Sequence, residues 1–249
     1  MMKEKTAVVT GGAGGIGGEI IRTLAGEGWR VASIDRKHKE TKRGAVAEFV
    51  GDVAEKGDLE AFAEFVGAEF SGGVDLLVNN AMSSSGGILG GCSFEDFERT
   101  LRTGVVAPYY LTKLLLPSFN VGASVINIAS TRAFMSQADT ESYSAAKGGI
   151  CALTHALAAS LAQRRIRVNA ISPGWIDNAP EYARRHEAAD ETQHTSGRVG
   201  EPGDIARAVL FLADTRNSFI NAQNIVIDGG MTRLMIYHND HGWKFDCQS

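Results

Sequence analysis

Three cysteines in 249 residues (Cys92, Cys151 and Cys247) are odd in number and widely separated. That excludes a disulfide framework, and their spacing matches no zinc motif. Prolines number only five, and no linker, internal repeat or low-complexity segment interrupts the chain. Charge of neither sign forms a block, and the formal net charge is −4, which argues against nucleic acid as a main partner. The most basic stretch, Arg36-Lys-His-Lys39 with Lys42 and Arg43, reads first as a solvated loop. No apolar run approaches membrane-spanning length, and Met1-Met-Lys-Glu-Lys5 carries no apolar signal region. These absences lead to the expectation of a soluble, cytoplasmic protein with no membrane partner.

What is present is an alternation. Hydrophobic residues make up 44% of the chain, enough for a sizeable core, and glycine is abundant at 29 residues. Strands are expected at Thr6–Thr10, Arg30–Ile34, Ala45–Val50, Val74–Val78, Ser124–Ile128, Ile166–Ile171 and Asn224–Ile227. Helical patterns lie between them, at Gly15–Glu27, Leu59–Phe70, Phe94 to about Leu116, Ser142–Ala162 and Pro202–Leu212. Nearly continuous Val/Ile/Leu strands alternating with amphipathic helices predict an α/β fold: one doubly wound domain with a parallel sheet covered on both faces. Ser172–Glu201, the longest stretch without a clear element, is expected to be a mobile segment over a site.

Thr10-Gly-Gly-Ala-Gly-Gly-Ile-Gly17 falls between the first strand and the first helix. Glycine there permits a tight turn and close backbone approach, and a helix N-terminus attracts a pyrophosphate. Asp35 ends the second strand, where a carboxylate can accept hydrogen bonds from ribose hydroxyls.

Tyr143 and Lys147 sit four residues apart and share one helix face, with Ser130 thirteen residues upstream at the end of a short apolar strand. A Tyr–Lys pair at this spacing is commonly a surface contact with a snorkelling lysine. The alternative is an acid–base pair. An ammonium about 4 Å away, at an effective dielectric of about 20, favours the phenolate by roughly 4 kcal/mol, or about three pKa units. That brings a tyrosine near neutrality, where general acid–base catalysis works best.

In order and spacing these pieces resemble the short-chain dehydrogenase/reductases of about this length, across nearly the whole chain. The matching residues are Thr10–Gly17, Asp52-Val53, Asn79-Asn-Ala81, Ser130, Tyr143-x-x-x-Lys147, Pro173-Gly174 and Asn224-Ile-Val-Ile-Asp-Gly-Gly230. The resemblance implies a Rossmann-type sheet of seven parallel strands, a nicotinamide dinucleotide and a homotetramer. It implies Ser130, Tyr143 and Lys147 as catalytic residues acting on a small-molecule alcohol or ketone. It implies a glycine turn at Gly11, Gly14, Gly15, Ile16 and Gly17, adenine contacts from Asp52 and Val53, and a ribose side lined by Asn79 and Ala81. Pro173, Gly174 and Ile176 are expected to flank the nicotinamide, and Tyr143 and Lys147 to reach its ribose. Asp35 favours NAD, whereas Arg36 and Lys37 are the kind of neighbours that clamp the extra phosphate of NADP.

Four positions depart from the family pattern. Gly104 stands where relatives usually carry an asparagine, Met82 replaces a usual glycine, and Asn178 stands where a threonine often meets the carboxamide. A tail, Met231–Ser249, extends past the last strand with Met235, Ile236, Tyr237, Trp243 and Phe245, and is expected to be docked on the domain or a neighbouring subunit. Met82, Phe134, Met135, Trp175 and this tail suggest an apolar, hydroxysteroid-like substrate. Polyols, sugars and 3-oxoacyl compounds stand behind it, and a non-catalytic dinucleotide-binding sensor is the rival from another class. Glu181–Glu191 reads equally as a substrate lid or a solvated helix face. His238-Asn-Asp-His241 reads as a polar turn, not a metal site.

Overall fold

Thr6-Ala-Val-Val-Thr10 has no room in its pattern for a solvent face, and in the computed structural model it is a wholly buried central strand, β1 (Thr6–Thr10). The structure describes residues 4–37, 46–178 and 186–237. The remaining strands are β2 (Arg30–Asp35), β3 (Val46–Val50), β4 (Val74–Asn79), β5 (Phe119–Ile128), β6 (Arg167–Pro173) and β7 (Asn224–Ile227). Between them run α1 (Gly15–Gly26), α2 (Lys56–Glu69), α3 (Phe94–Leu101), α4 (Ala107–Leu115), α5 (Glu141–Leu161), α6 (Ala188–Thr192) and α7 (Pro202–Ala213). The sheet is seven-stranded and parallel in the order β3-β2-β1-β4-β5-β6-β7. This is the expected Rossmann-type α/β architecture. The chain winds outward from β1 to β3 and then crosses back to β4, which opens a crevice at the carboxyl ends of β1 and β4.

Strand alternation assigns neighbouring residues to opposite faces. Val8, Leu77, Val125 and Val168 pack with Phe62, Leu111 and Leu157 from α2, α4 and α5. Val9, Val78, Ile126 and Ile171 pack on the other face with Ile20 and Leu24 of α1 and Ile205 and Val209 of α7. Burying each such side chain contributes about 1.5–3 kcal/mol.

Three sequence expectations change. The helix expected from Phe94 to about Leu116 is broken by a π-helical segment, Arg102–Val106, with Gly104 inside it. Helix α5 extends through Arg164 as a run of 24 residues that is long and apolar enough to cross a bilayer by composition, contrary to the reading that no run approaches that length. Its alanines and small residues raise the mean hydropathy, yet Ile150, Leu157 and Leu161 are buried against the fold. The stretch Ser172–Glu201 holds helix α6, capped at both ends of its first turn by Glu187 and Asp190. Residues 179–185, which include most of the basic part of the expected lid, lie outside the described residues, as do His238, His241, Trp243, Phe245 and Cys247. Of the described tail, Met235 and Tyr237 are exposed.

Candidate active site

Strand β5 delivers Ser130. Its last bond to β6 is made by Ala129 N–H to the Ile171 carbonyl at 2.7 Å, and the backbone then turns into a short 3-10 helix, Thr131–Ala133. The buried Ser130 hydroxyl caps that turn by accepting from Arg132 N–H at 3.2 Å. Helix α5 begins two residues before Tyr143, so the phenol sits in the first helical turn and Lys147 one turn further on. Ser130 and Tyr143 line one cleft of about 620 Å3, together with Ser84, Gln137, Trp175 and Gln193.

Lys147 is fully buried, and its ammonium donates to the Ile128 carbonyl at 2.6 Å. It also stands 5.4 Å from the centre of the Tyr143 ring, against the ring face. Burial pulls its pKa down to about 8, with the nearby Cys151 acting weakly the other way. Tyr143 does not follow the expectation of a phenol lowered by its lysine. Burial pushes the phenol above its ordinary value, while a hydrogen bond with Ser130 and the charge of Arg132 pull it back. The physical reason is that both members of the pair are desolvated, and desolvation opposes charge on each.

The glycine turn forms the neighbouring half. Gly11 and Gly15 hold positive φ angles of 72° and 52°, which glycine adopts without strain. A Cβ on Gly17 would lie 2.0 Å from the Gly11 carbonyl oxygen, so only glycine lets α1 start this close to the turn. Thr10 and Asn80 brace the turn. Thr10 Oγ1 accepts the N–H groups of Asn80 and Ala81, both at 3.0 Å, and Asn80 Nδ2 donates to the carbonyls of Thr10 and Gly11. Gly14 faces open space, and Ile16 packs against the core between α1 and α7.

Gly11, Asp35, Asp52, Val53 and Ala81 line a second cleft with Arg36. Met82 and Ser83 line this cleft and Ser84 and Ser85 the larger one, so the two adjoin along one loop. Asp35 Oδ2 accepts Ala13 N–H at 3.0 Å, which aims the carboxylate at the glycine turn. Asp52 pairs with Arg99, a residue the sequence did not bring forward, which also lines the cleft. Asn79 departs from expectation. It is buried, donates to Asn127 Oδ1 at 2.8 Å and does not line the cleft, because at the end of β4 its side chain falls on the α5 side of the sheet.

Pro173 ends β6, and Gly174 N–H donates to the Ile227 carbonyl at 3.0 Å. A Cβ on Gly174 would meet Asp228 Cβ at 2.6 Å, so this crossing also requires glycine. Ile176 forms a bridge with Gly200 in which its neighbours Trp175 and Asp177 make the bonds, leaving the Ile176 amide uncommitted among the described residues. The Asn178 carboxamide lies beside Gly15, 3.1 Å from where a Cβ would be.

The expected apolar lining is assembled only in part. Phe134 and Met135 are exposed outside the large cleft, Met82 lines the neighbouring one, and of the described residues of that group Trp175 and Met231 line the large cleft. Among the described residues no cluster of three or more His, Cys, Asp or Glu has the makings of a metal site.

A glycine turn with no room for a Cβ at Gly11 or Gly17, a carboxylate aimed at it, and an adjoining cleft with a serine and a tyrosine backed by a buried lysine suit a dinucleotide and a reacting oxygen. The fold and these clefts define an oxidoreductase that uses a nicotinamide cofactor. A family model described as enoyl-(acyl carrier protein) reductase matches residues 11–232. An uncharacterized oxidoreductase of Thermotoga maritima is 41% identical over 256 residues, covering 95% of this chain and 99% of that protein. An apo SCOR enzyme from Clostridium thermocellum superposes with a TM-score of 0.90 at 39% identity, over 99% of this chain and 100% of that one. A blue fluorescent protein from a metagenomic library, solved in complex with NADPH, superposes with a TM-score of 0.82 at 30% identity, over 91% of this chain and 97% of that one. The chain belongs to the short-chain dehydrogenase/reductase family.

Proposed function

We propose that the protein interconverts a secondary alcohol and its ketone with NAD(H), and that Ser130, Tyr143 and Lys147 carry the reaction. The observation that supports this best is the shared cleft of Ser130 and Tyr143, backed by the buried Lys147 and adjoining the glycine-turn cleft. Gly11, Gly15 and Gly17 shape the pyrophosphate cradle, Asp52 and Val53 the adenine end, and Pro173, Gly174 and Ile176 the nicotinamide side. When bound, the nicotinamide supplies or accepts the hydride. Tyr143 gives its phenolic proton to the substrate oxygen on reduction and takes it back on oxidation. Ser130 donates a hydrogen bond to the same oxygen and stabilises charge developing there. Lys147, held by Ile128, supports the ring face and reaches the ribose. A phenol kept protonated by burial has a proton to give to the substrate oxygen at neutral pH.

NAD is favoured over NADP because Asp35 is held at the glycine turn, where its charge repels an added phosphate by roughly 4 kcal/mol at an effective dielectric near 20. The lining of serines and glutamines around Tyr143 favours a polar substrate over the hydroxysteroid-like one suggested by sequence. Such family members commonly work as cytoplasmic homotetramers, and the same is proposed here. The test is a spectrophotometric panel of polar and apolar ketones with NADH and NADPH. Turnover of polar ketones with NADH is expected; cofactor binding without turnover of any carbonyl compound would instead fit a sensor.

A further inference from the structure

The cleft around Ser130 and Tyr143 contains a cation that the reaction scheme leaves without work. Arg132 stands two residues beyond Ser130, and its part-buried side chain lines the cleft. Its own N–H holds the Ser130 hydroxyl at 3.2 Å, so the guanidinium is tied to the group that meets the substrate oxygen. The guanidinium donates to two neutral acceptors, Gln137 Oε1 and Thr140 Oγ1, the latter at 3.4 Å. An arginine has five N–H donors in a planar fork, so donors remain for a ligand.

The acidic residues nearby are otherwise engaged. Asp139 also lines the cleft, but its Oδ1 accepts the N–H groups of Gly87, Leu89 and Gly90 at 3.0, 3.0 and 2.7 Å. Glu141 Oε2 accepts Ile88 N–H at 3.2 Å. Both carboxylates staple the loop over the cleft, and among the described residues none forms an ion pair with Arg132. Arg132 is the only cation among the described lining residues, and its charge is felt at the Tyr143 phenol. One guanidinium matches a monocarboxylate; a phosphate dianion calls for more positive charge.

We infer that Arg132 is the anion-recognition residue of this cleft and that the substrate is a hydroxy acid or oxo acid whose carboxylate it pairs. The inference rests on the oxidoreductase reading of the same cleft. Because Arg132 lines the same cleft as Tyr143 and its own N–H holds the Ser130 hydroxyl, the acids proposed are short-chain ones, 2-oxo and 3-oxo acids.

The test compares such acids with their methyl esters, and with dihydroxyacetone phosphate, in the full chain with its dinucleotide. The acids are expected to exceed their esters in kcat/KM by about tenfold or more, and Arg132→Gln to cut that ratio by about 10- to 100-fold, mainly through KM. Arg132→Lys should restore part of it. Equal use of acids and esters, preference for the phosphate, or an equal loss for acid and ester in Arg132→Gln would overturn the inference, the last by assigning Arg132 to holding the turn. Calorimetric binding of butyrate to the protein–dinucleotide complex separates this from the reaction scheme. Binding weakened about tenfold by Arg132→Gln supports anion recognition even if no ketone turns over, and absent or unchanged binding contradicts it.

Discussion

Met82 occupies the space that a side chain at position 104 would need. A Cβ on Gly104 would lie 3.0 Å from Met82 Sδ and 2.9 Å from Ala146 Cβ. The two departures from the family pattern are therefore one exchange: bulk lost from the π-helical segment is supplied by the loop after β4. Gly104→Asn alone should cost about 1–3 kcal/mol by overpacking beside the Lys147 helix. Combined with Met82→Gly it should recover part of that loss, the contact with Ala146 remaining, giving a coupling of about 1 kcal/mol in a double-mutant cycle read by urea denaturation. Strictly additive effects would show that the two positions are independent.

The buried ammonium gives stability an unusual pH dependence. Lys147 keeps its proton to about pH 8 in the folded chain, whereas its ordinary value is 10.5. Between these the unfolded chain binds more protons, so folding stability rises with pH across that window. The span corresponds to roughly 3 kcal/mol. Lys147→Met lacks this group, so wild-type stability measured relative to the variant should climb from pH 8 toward pH 10.5. Parallel profiles would mean that the lysine is not buried as a cation.

Cofactor choice turns on Asp35. Its carboxylate is anchored by Ala13 N–H, with Arg36 beside it in the same cleft. Asp35→Ser should remove the repulsion and leave Arg36 to attract a phosphate, raising the NADPH-to-NADH ratio of kcat/KM by at least about tenfold. A wild type that already prefers NADPH, or a ratio untouched by the substitution, refutes the assignment to NAD.

The strand pattern was legible because seven apolar runs lie between helical ones, and a buried parallel strand needs no polar face. Ser130, Tyr143 and Lys147 were legible through order and spacing. The rest depended on direction, which spacing does not carry. Asn79 was expected at the ribose, but at the end of β4 its side chain falls toward Asn127. An asparagine inside Val125-Ile-Asn-Ile128 was the available hint, since a polar residue in a buried strand needs a partner. The spacing points Lys147 at the phenol, yet its ammonium donates a hydrogen bond to the Ile128 carbonyl, a backbone group with no sequence signature. Nothing in the sequence singles out Arg132 or Asp139; their work appears only once the turn after β5 faces the loop at Gly87–Gly90. The break in the helix at Arg102–Val106 contains Gly104, a departure from the family pattern that by itself does not signal a π-helical turn.

The central claim is that Tyr143 transfers the proton, and Tyr143→Phe tests it with little change in shape. The measurement is single-turnover oxidation of NADH with the best ketone of the panel, alongside fluorescence titration of NADH binding. The account predicts a rate lower by about 10²- to 10⁴-fold, with NADH affinity within about threefold of wild type. Turnover close to wild type in that variant would contradict it.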